Sequence, residues 1–515
     1  MHTFEIFLGL LLGATILSAL ARRVNIPYPT LLAVGGAIVA FLPGTPHIVL
    51  PPPELILALF VAPVLVDAAY DTSLRDLRDN WRPVLSLVLV AVGLTTIVVA
   101  FAARQFLPDL PWAAAIALGA LLAPPDAVAA LAVLQQVNPP HRIRKVLEGE
   151  SLLNDASALL IYKIAVGSIG AAGFQMGKAF PTFLLVVFGS AATGWILAKL
   201  VGLIRGRVSD MPTSVIFQFV MSFGVWLIAE QLGLSGVVTI VVFGIMTGQE
   251  TALDMSARMR VSTFAVWESA TFVLNVLAFT LIGLEMRPIL DKLSGTERFH
   301  YFAAALALLA VVIVVRLFWV MSYTIFHKKM NPSAPDGGQA PRSPLSTRGG
   351  VVVGWCGMRG IVTLAAAIAL PEGFPYSNFI QLSAFVVVLG TLVIQGLTLR
   401  PLLLSLRLPP DDTVESEINI ARSKALKAAI MELDGDTTPV AQRLKTEYQE
   451  ALRQTRRGED IHETENNALR RRVLTKSRQT LNELRSNGTI GDDAYRFVEE
   501  ELDWIELSAT GDTIP

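Results

Sequence analysis

The sequence predicts an all-α polytopic membrane protein with about thirteen transmembrane helices, and three observations lead to this fold class. Hydrophobic residues make up 53% of the 515 residues and charged residues only 17%, with a mean hydropathy of +0.54. Apolar stretches of roughly 17 to 25 residues, each long enough to cross ~30 Å of hydrocarbon, recur as far as residue 405. Basic residues collect in alternate loops between them.

The predicted spans follow one another along the chain. They cover about residues 4–20, 28–44, 53–70, 84–106, 111–134, 150–172, 181–203, 213–231, 235–248, 264–286, 301–327, 350–370 and 378–404. The first span has Arg22 and Arg23 behind it and no basic residue ahead of it, unlike a cleaved signal peptide, so we expect it to stay in the mature protein. The ninth span is short, and we expect it to be tilted or broken.

The distribution of Arg and Lys over the loops predicts the orientation. If the N-terminus lies outside, the inside loops contain most of the basic residues, including the cluster Arg142, Arg144 and Lys145. Positively charged loops stay on the cytoplasmic side. We therefore expect a multi-pass protein of the cell inner (plasma) membrane with an odd number of spans, its N-terminus outside and its C-terminal tail in the cytoplasm.

The third and fifth spans carry carboxylates within apolar sequence. Asp67 lies near the end of the third span, and the fifth span reads GALLAPPDAVAALAVL, with Pro124, Pro125 and Asp126 in its middle. Two consecutive prolines remove two backbone donors and clash with the preceding turn, so the helix has to break close to mid-membrane. We expect freed carbonyls and a carboxylate to meet there at one depth.

The sixth span begins with the run GESLLND at residues 149–155. A carboxylate in hydrocarbon is costly, so it marks a functional site that faces a cavity or a partner. Ser151 lies four residues before Asp155, on the same helical face, and Asn154 adds an amide. These oxygens suit a monovalent cation, Na+ or K+, and protons and cations can compete for the carboxylate. The alternative is a buried polar knot that only locks two helices together.

The eleventh and twelfth spans each carry an arginine. Arg316 is the lone cation in ALLAVVIVVRLFWVMSY and needs a carboxylate, so we pair it with Glu150, either structurally or as part of transport. Glycines around Arg359 interrupt the twelfth span. Interrupted spans at matching positions predict two inverted six-helix repeats with crossing discontinuous helices, numbers 5 and 12. Asp126 and Arg359 would then offset the partial charges of the half-helix ends, or form a structural ion pair or cap.

Residues 406–515 predict a separate soluble unit. They are rich in charged residues, and the stretches EINIARSKALKAAIMEL and NNALRRRVLTKSRQTLNELRSNG show helical spacing of apolar residues. We expect a transmembrane domain over residues 1–405 and a small cytoplasmic helical domain over residues 406–515, for which regulation is one interpretation.

Other classes of protein fit less well. The single cysteine, Cys356, excludes an internal disulfide, and the histidines lack the spacing of metal ligands. A channel is not favoured, because the sequence contains no repeated filter sequence. An enzyme is not favoured either, because Ser151 has no histidine within the spans to activate it as a nucleophile. We expect no enzyme activity, no cofactor beyond the transported ions and no nucleic-acid partner. An ion-regulated membrane sensor that signals through the tail stays open as an alternative.

Several of these features together resemble the electroneutral sodium/proton exchangers of the monovalent cation:proton antiporter superfamily, particularly prokaryotic NhaP-like members. They are the GESLLND run, the interrupted fifth span, the stretch GLSGVVTIVVFGIMTG at 233–248, the lone Arg316 and the GMRG break at 357–360. The resemblance covers residues 1 to about 405. It implies a secondary active antiporter that exchanges Na+, and also Li+, for H+ by alternating access.

The resemblance also implies roles for individual residues. The cation and proton site would be formed by Asp155, Asp67, Ser151, Asn154 and Asp126. Asp155 would be the shared site, and an Asn-Asp pair in place of two aspartates is associated with electroneutral exchange. Glu150 would pair with Arg316. A six-helix core domain with elevator-like motion, a dimer-interface domain and a homodimer are implied as well.

Two departures from the family pattern leave the transported ion open. Where the family usually has Thr-Asp-Pro at the fifth-helix crossing, this chain has Pro125, Asp126 and Ala127, which removes a hydroxyl ligand. The acid of the third span, usually Glu, is Asp67, shorter by one methylene. Both changes shorten the reach of the ligands, so a K+/H+ antiporter on the same scaffold is the alternative.

Overall fold

Helices make up all of the regular structure in the part of the chain that the computed structural model describes. It describes residues 2–42, 52–134, 137, 139–169, 176–205, 207–208, 210–254, 256–330, 346–409, 411–457, 465–487 and 489–510. The predicted all-α class is therefore confirmed. The chain divides into two compact units, Met1–Pro410 and Asp411–Pro515.

Two π-helical turns lie between helices in the first part of the chain. These helices are α1 (His2–Val24), α2 (Tyr28–Ala40), α3 (Pro53–Ile56), α4 (Ala62–Tyr70), α5 (Leu74–Asp79), α6 (Trp81–Leu85), α7 (Val92–Phe106), α8 (Trp112–Leu122), α9 (Ala127–Leu134) and α10 (His141–Gly167). A π-helical turn at Leu57–Val61 joins α3 to α4, and another at Ser86–Ala91 joins α6 to α7. Such turns occur frequently at functional sites.

In the described residues from 176 to 409, the first unit has nine further helices. They are α11 (Met176–Arg205), α12 (Met211–Gln231), α13 (Gly236–Asp254), α14 (Ala257–Leu284), α15 (Met286–Asp291), α16 (Gly295–Met330), α17 (Thr347–Trp355), α18 (Ile361–Ile368) and α19 (Ser377–Leu406). Helix α13 corresponds to the ninth predicted span and is unbroken over 19 residues. The apolar run underestimated its length because the helix continues into the polar residues that follow.

The fifth and twelfth spans are interrupted, as their prolines and glycines predict. Helix α8 ends at Leu122 and α9 begins at Ala127, while α17 ends at Trp355 and α18 begins at Ile361. The two interruptions touch, because the backbone N–H of Asp126 donates to the carbonyl oxygen of Met358 at 2.5 Å. The inverted relation between the two halves stays a prediction.

Close packing brings the helices that carry the predicted site residues together. Leu152 and Ala156 of α10 share a buried cluster with Val66 and Ala69 of α4. Elsewhere α2 and α14 approach through Gly36, where a Cβ atom would lie 3.2 Å from the Cα of a facing glycine and overlap a carbonyl oxygen. Small residues let membrane helices pack backbone to backbone in this way.

Six helical segments of the described chain are long and apolar enough to cross a membrane. They are Trp81–Phe106, Pro181–Arg205, Met211–Gln231, Met259–Asp291, Glu297–Met330 and Ser377–Leu406. Helix α10 is not among them because its first half is charged, and the interrupted spans are divided into pieces that are too short. The number of thirteen spans therefore stays a prediction.

The described residues of the second unit form four helices, namely α20 (Thr413–Glu432), α21 (Pro439–Arg457), α22 (Glu465–Ser486) and α23 (Asp492–Thr510). The two stretches singled out in the sequence lie in α20 and α22. Helix α20 packs on α21, and α22 packs on α23. Arg485 of α22 binds Asp492 of α23 at 2.7 Å, but such exposed ion pairs contribute little stability.

Candidate cation and proton site

Ser151, Asn154 and Asp155 lie on the part of helix α10 that packs against the interruption of the fifth span. Asn154 is fully buried, and its Nδ2 donates to the carbonyl oxygen of Pro125 at 2.9 Å. Ser151 and Asp155 are half-buried. The carboxylate of Asp126 is close enough to repel that of Asp155 electrostatically. The helix therefore places a half-buried aspartate, Asp155, beside the crossing.

Asp126 lies between α8 and α9 and caps the second of them. Its Oδ1 accepts the backbone N–H of Val128 at 2.8 Å. A negative charge at a helix N-terminus is stabilised by the helix dipole. Together with the bond from its own N–H to Met358, this cap makes Asp126 the residue that joins the two interruptions.

Arg359 covers the carbonyl end of α8. Its guanidinium donates to the carbonyl oxygens of Leu122 at 3.1 Å, Ala123 at 3.5 Å and Gly357, and the side chain is fully buried. The interruption leaves such carbonyls without helical partners, so the arginine replaces those hydrogen bonds. Asp126 and Arg359 form no direct ion pair in this part of the described chain, and each serves a different half-helix end.

Glu150 and Arg316 form a buried, two-pronged ion pair between α10 and α16. The Nη1–Oε1 distance is 2.5 Å and the Nη2–Oε2 distance is 2.8 Å, and both side chains are at most 3% exposed. Arg316 Nη2 also donates to the carbonyl oxygens of Val353 at 3.1 Å and Cys356 at 3.4 Å, at the end of α17. The pair therefore ties three helices together next to the crossing.

Asp67 belongs to a second group of carboxylates. It is half-buried on α4, and Thr271 of α14 lies within hydrogen-bond reach of it. The charges that act on it are those of Asp71 and Glu268, whereas Asp155 is acted on by Asp126. Asp67 thus lies on a helix that packs against α10, and the charges that act on it differ from the charge that acts on Asp155.

The structure adds two polar groups near the crossing that the sequence analysis did not single out. Ser157 is buried, and its Oγ lies 2.9 Å from the carbonyl oxygens of Val88 and Asn154, which links α10 to the second π-helical turn. Tyr28 at the start of α2 lies close enough to Asp126 to interact with its charge electrostatically. Ser157 could have been found from its position one turn after Asn154, but Tyr28 is brought in by tertiary structure alone.

An ion pair at the other end of α10 was also missed. Lys163 Nζ lies 3.0 Å and 2.9 Å from the two carboxylate oxygens of Glu230 on α12. The residues are 67 positions apart, and neither sits in a distinctive motif, so the sequence gives no signal for their contact. Both side chains are substantially exposed.

No group of three or more His, Cys, Asp or Glu side chains in the described residues is arranged to hold a metal ion. Alkali cations are bound differently, by several oxygen ligands of any kind. The hydroxyl of Ser151, the amide of Asn154 and the carboxylate of Asp155 supply such oxygens on one helix.

The close contact at the crossing leads to a test of stability. A Cβ atom at Gly360 would overlap the carboxylate of Asp126, so we expect Gly360→Ala to displace that carboxylate and destabilise the protein by about 1–3 kcal/mol. Gly93→Ala on α7 is the matched control, because a Cβ atom there meets nothing within 4 Å. Equal melting temperatures of the two purified variants would contradict the expectation.

A family model described as "Sodium/hydrogen exchanger, transmembrane" matches residues 8–405. An uncharacterized Na+/H+ exchanger of Mycobacterium tuberculosis is 28% identical over 525 residues, which covers 98% of this chain and 95% of that protein. A sodium, potassium, lithium and rubidium/H+ antiporter of Bacillus pumilus is 30% identical over 482 residues, or 88% of this chain and 70% of that protein.

The fold is also similar to a solved structure. The sodium proton antiporter MjNhaP1 from Methanocaldococcus jannaschii, solved at pH 8, aligns with a TM-score of 0.60 and 16% sequence identity. The alignment covers 79% of this chain and 99% of that chain. At this level of identity, the similarity is one of fold.

Proposed function

Because the chain belongs to the sodium/hydrogen exchanger family, we propose that it exchanges one Na+ or Li+ for one proton at Asp155. The family and its relatives are transporters, so the protein is a transmembrane cation/proton antiporter and not an enzyme. The proposal goes further in naming the site, the one-for-one exchange and the ion.

The observation that carries the proposal is that the carboxylate of Asp155 lacks the partners that bind the other acids of the crossing. Glu150 is bound by Arg316, and Asp126 caps α9. The carboxylate of Asp155 makes no hydrogen bond or ion pair with the described residues, and Asp155 as a residue is half-buried. It is therefore the carboxylate that is free to take a proton or a cation.

The low dielectric of the membrane then makes exchange obligatory. A bare carboxylate is costly in hydrocarbon, whereas a protonated or cation-bound one is close to neutral. Asp155 can therefore move between its outward-facing and inward-facing positions only when its carboxylate binds a proton or a cation. One carboxylate that carries either one proton or one monovalent cation gives electroneutral exchange, with Ser151 and Asn154 supplying further oxygens.

We extend the proposal to the assembly. Alternating access would come from an elevator-like movement of a six-helix core against a dimer-interface group, in a homodimer of the plasma membrane with the N-terminus outside and residues 411–515 in the cytoplasm. Light scattering of the purified protein gives the number of copies. Labelling of single cysteines introduced at the termini gives the orientation.

Proteoliposomes provide the direct test of the function. Proton flux driven by Na+, Li+ and K+ in turn is measured with and without a clamped membrane potential. Flux with Na+ and Li+ that the clamp leaves unchanged supports electroneutral sodium exchange. A preference for K+ supports the alternative K+/H+ antiporter, which the sodium, potassium, lithium and rubidium/H+ antiporter of Bacillus pumilus makes a reasonable second candidate. Absence of flux at any pH would overturn the proposal.

Asp67 offers a test of ion binding at the second carboxylate group. Asp67→Asn removes a charge, so we expect the apparent KM for Na+ to rise about tenfold, equivalent to ~1.4 kcal/mol. Asp67→Glu restores the missing methylene and should lower that KM about two- to fivefold, the range of one improved polar contact. Asp79→Asn on α5 is the control. An unchanged KM in both Asp67 variants would remove Asp67 from the ion path.

Deletion of the second unit separates an antiporter from a sensor. We expect a chain ending at residue 410 to retain exchange, because the candidate site lies within Met1–Pro410. A regulatory tail would change the pH at which exchange begins but not abolish it. Complete loss of exchange from a folded truncated protein would favour the sensor.

A further inference from the structure

We propose that the membrane unit binds the phosphate group of an anionic phospholipid at a site between α6, α10 and α16. The groups that bind it are the guanidinium groups of Arg82 and Arg142 and the hydroxyl of Tyr323, one from each helix. Helix α10 packs against α6, and α16 packs against the π-helical turn that follows α6. The site depends on the location of the protein in a membrane and not on exchange at Asp155.

Hydrogen bonds between the three helices hold these side chains near one another. Tyr323 lies close enough to both guanidinium groups to interact with them electrostatically. Arg142 Nε donates to Oδ1 of Asn80, the residue before α6, at 3.0 Å. One turn before Tyr323, Trp319 Nε1 donates to Oγ of Ser86 at 3.1 Å, which joins α16 to the end of α6. The two positive charges and the hydroxyl are therefore brought to one place by tertiary structure.

Neither guanidinium group forms an ion pair with a carboxylate of the described residues. Arg82 is exposed, and its guanidinium carbon lies 5.5 Å from the centre of the Trp81 ring. Arg142 is half-buried, and its hydrogen bond goes to a neutral amide. A guanidinium group matches the geometry of a phosphate and donates two parallel hydrogen bonds to it. Two such groups beside a hydroxyl donor therefore suit one phosphate group.

The acids closest to this site along the chain have other partners. Glu148 on α10 binds Arg144 and Lys145, each at 2.8 Å. Asp76 on α5 lies 3.7 Å from the imidazole of His141. These acids therefore leave the charges of the two arginines available to an anion.

An exposed apolar stripe next to the arginines identifies the anion as a lipid. Trp81, Leu85 and Leu89 recur at every fourth position and are 52%, 43% and 46% exposed. Tryptophan is frequent at the interface between membrane and water, so Trp81 places the level of Arg82 at the headgroups. The acyl chains of a phospholipid would then cover Leu85 and Leu89, whereas a free phosphate ion would leave them uncovered. Basic clusters at the cytoplasmic ends of membrane helices bind anionic headgroups in this way.

Displacement of fluorescently labelled phosphatidylglycerol from the purified full-length protein in a neutral detergent tests the proposal. We expect unlabelled phosphatidylglycerol to displace the probe at a concentration about tenfold lower than phosphatidylcholine does, because only the first lipid carries a net negative charge. Inorganic phosphate at that concentration should not displace the probe, since it has no acyl chains. Equal displacement by phosphatidylcholine would overturn the proposal. Displacement by inorganic phosphate at the same concentration would assign the site to free phosphate and overturn the lipid as its ligand.

Variants locate the lipid on the protein. Arg82→Gln changes an exposed side chain and should weaken phosphatidylglycerol binding about fivefold or more, because it removes a charged phosphate ligand. Tyr323→Phe keeps the ring, removes the hydroxyl and should weaken binding about two- to fivefold. Arg144→Gln is the matched control, because Arg144 is an exposed arginine of α10 that is already bound to Glu148. Binding that neither Arg82→Gln nor Tyr323→Phe weakens, or that Arg144→Gln weakens as much as Arg82→Gln, would overturn the assignment.

Discussion

Replacing Asp155 with Asn is expected to abolish cation/proton exchange and to leave the protein folded. An amide holds neither the exchanged proton nor the charge that attracts a cation, so flux in proteoliposomes should fall to that of empty liposomes. The carboxylate makes no hydrogen bond or ion pair with the described residues and is repelled by Asp126. The melting temperature of Asp155→Asn should therefore equal or exceed that of the unaltered protein.

This combination of results separates the two interpretations of the polar run on α10. If Asp155 belonged to a knot that only locks helices together, its neutralisation would lower the melting temperature, and exchange would fall in proportion to the folded fraction. Asp210→Asn, which makes the same change at the exposed start of α12, is the control and should retain full exchange. Retained exchange in Asp155→Asn would remove that residue from the central role.

Features fixed by local chemistry could be predicted from the sequence. Pro124 and Pro125 cannot continue a helix, and glycines flank the second interruption, so both breaks were expected and are present. The membrane also limits where charges can go. A buried guanidinium such as Arg316 needs a carboxylate, and Glu150 is the acid that it meets.

Features that depend on how distant helices pack could not be predicted. The contact of Lys163 with Glu230 and the approach of Tyr28 to Asp126 join helices far apart in sequence. The π-helical turns likewise have no distinct apolar pattern.

The candidate site itself was only partly predictable. Its polar residue types and their spacing on α10 are visible in the sequence, but the partner of each is not. The bond from Asn154 to the carbonyl oxygen of Pro125 depends on how the interrupted span lies against α10. The charged neighbours also depend on tertiary structure: Asp71 and Glu268 act on Asp67, and Asp126 acts on Asp155. The grouping of all three aspartates in one site stays a prediction.

The ion pair of Glu150 and Arg316 leads to the largest expected change in stability. Glu150→Ala leaves the guanidinium of Arg316 buried, with the carbonyl oxygens of Val353 and Cys356 as its remaining partners among the described residues. Breaking a buried pair in this way costs about 3–5 kcal/mol. We expect a large fall in the melting temperature and in the yield of folded protein, measured by fluorescence-detected size-exclusion chromatography after heating.

The two ion pairs of Glu148 on the same helix provide the matched control. The carboxylate of Glu148 accepts hydrogen bonds from the side chains of Arg144 and Lys145, each at 2.8 Å, and it is more exposed than that of Glu150. Glu148→Ala should therefore lower the free energy of unfolding by less than about 1 kcal/mol. Glu150→Gln distinguishes a structural from a transporting role, because it keeps the shape and removes the charge. If the pair is structural, exchange per folded molecule stays normal in Glu150→Gln while stability falls. Normal stability with lost exchange would instead place Glu150 in the ion path beside Asp155.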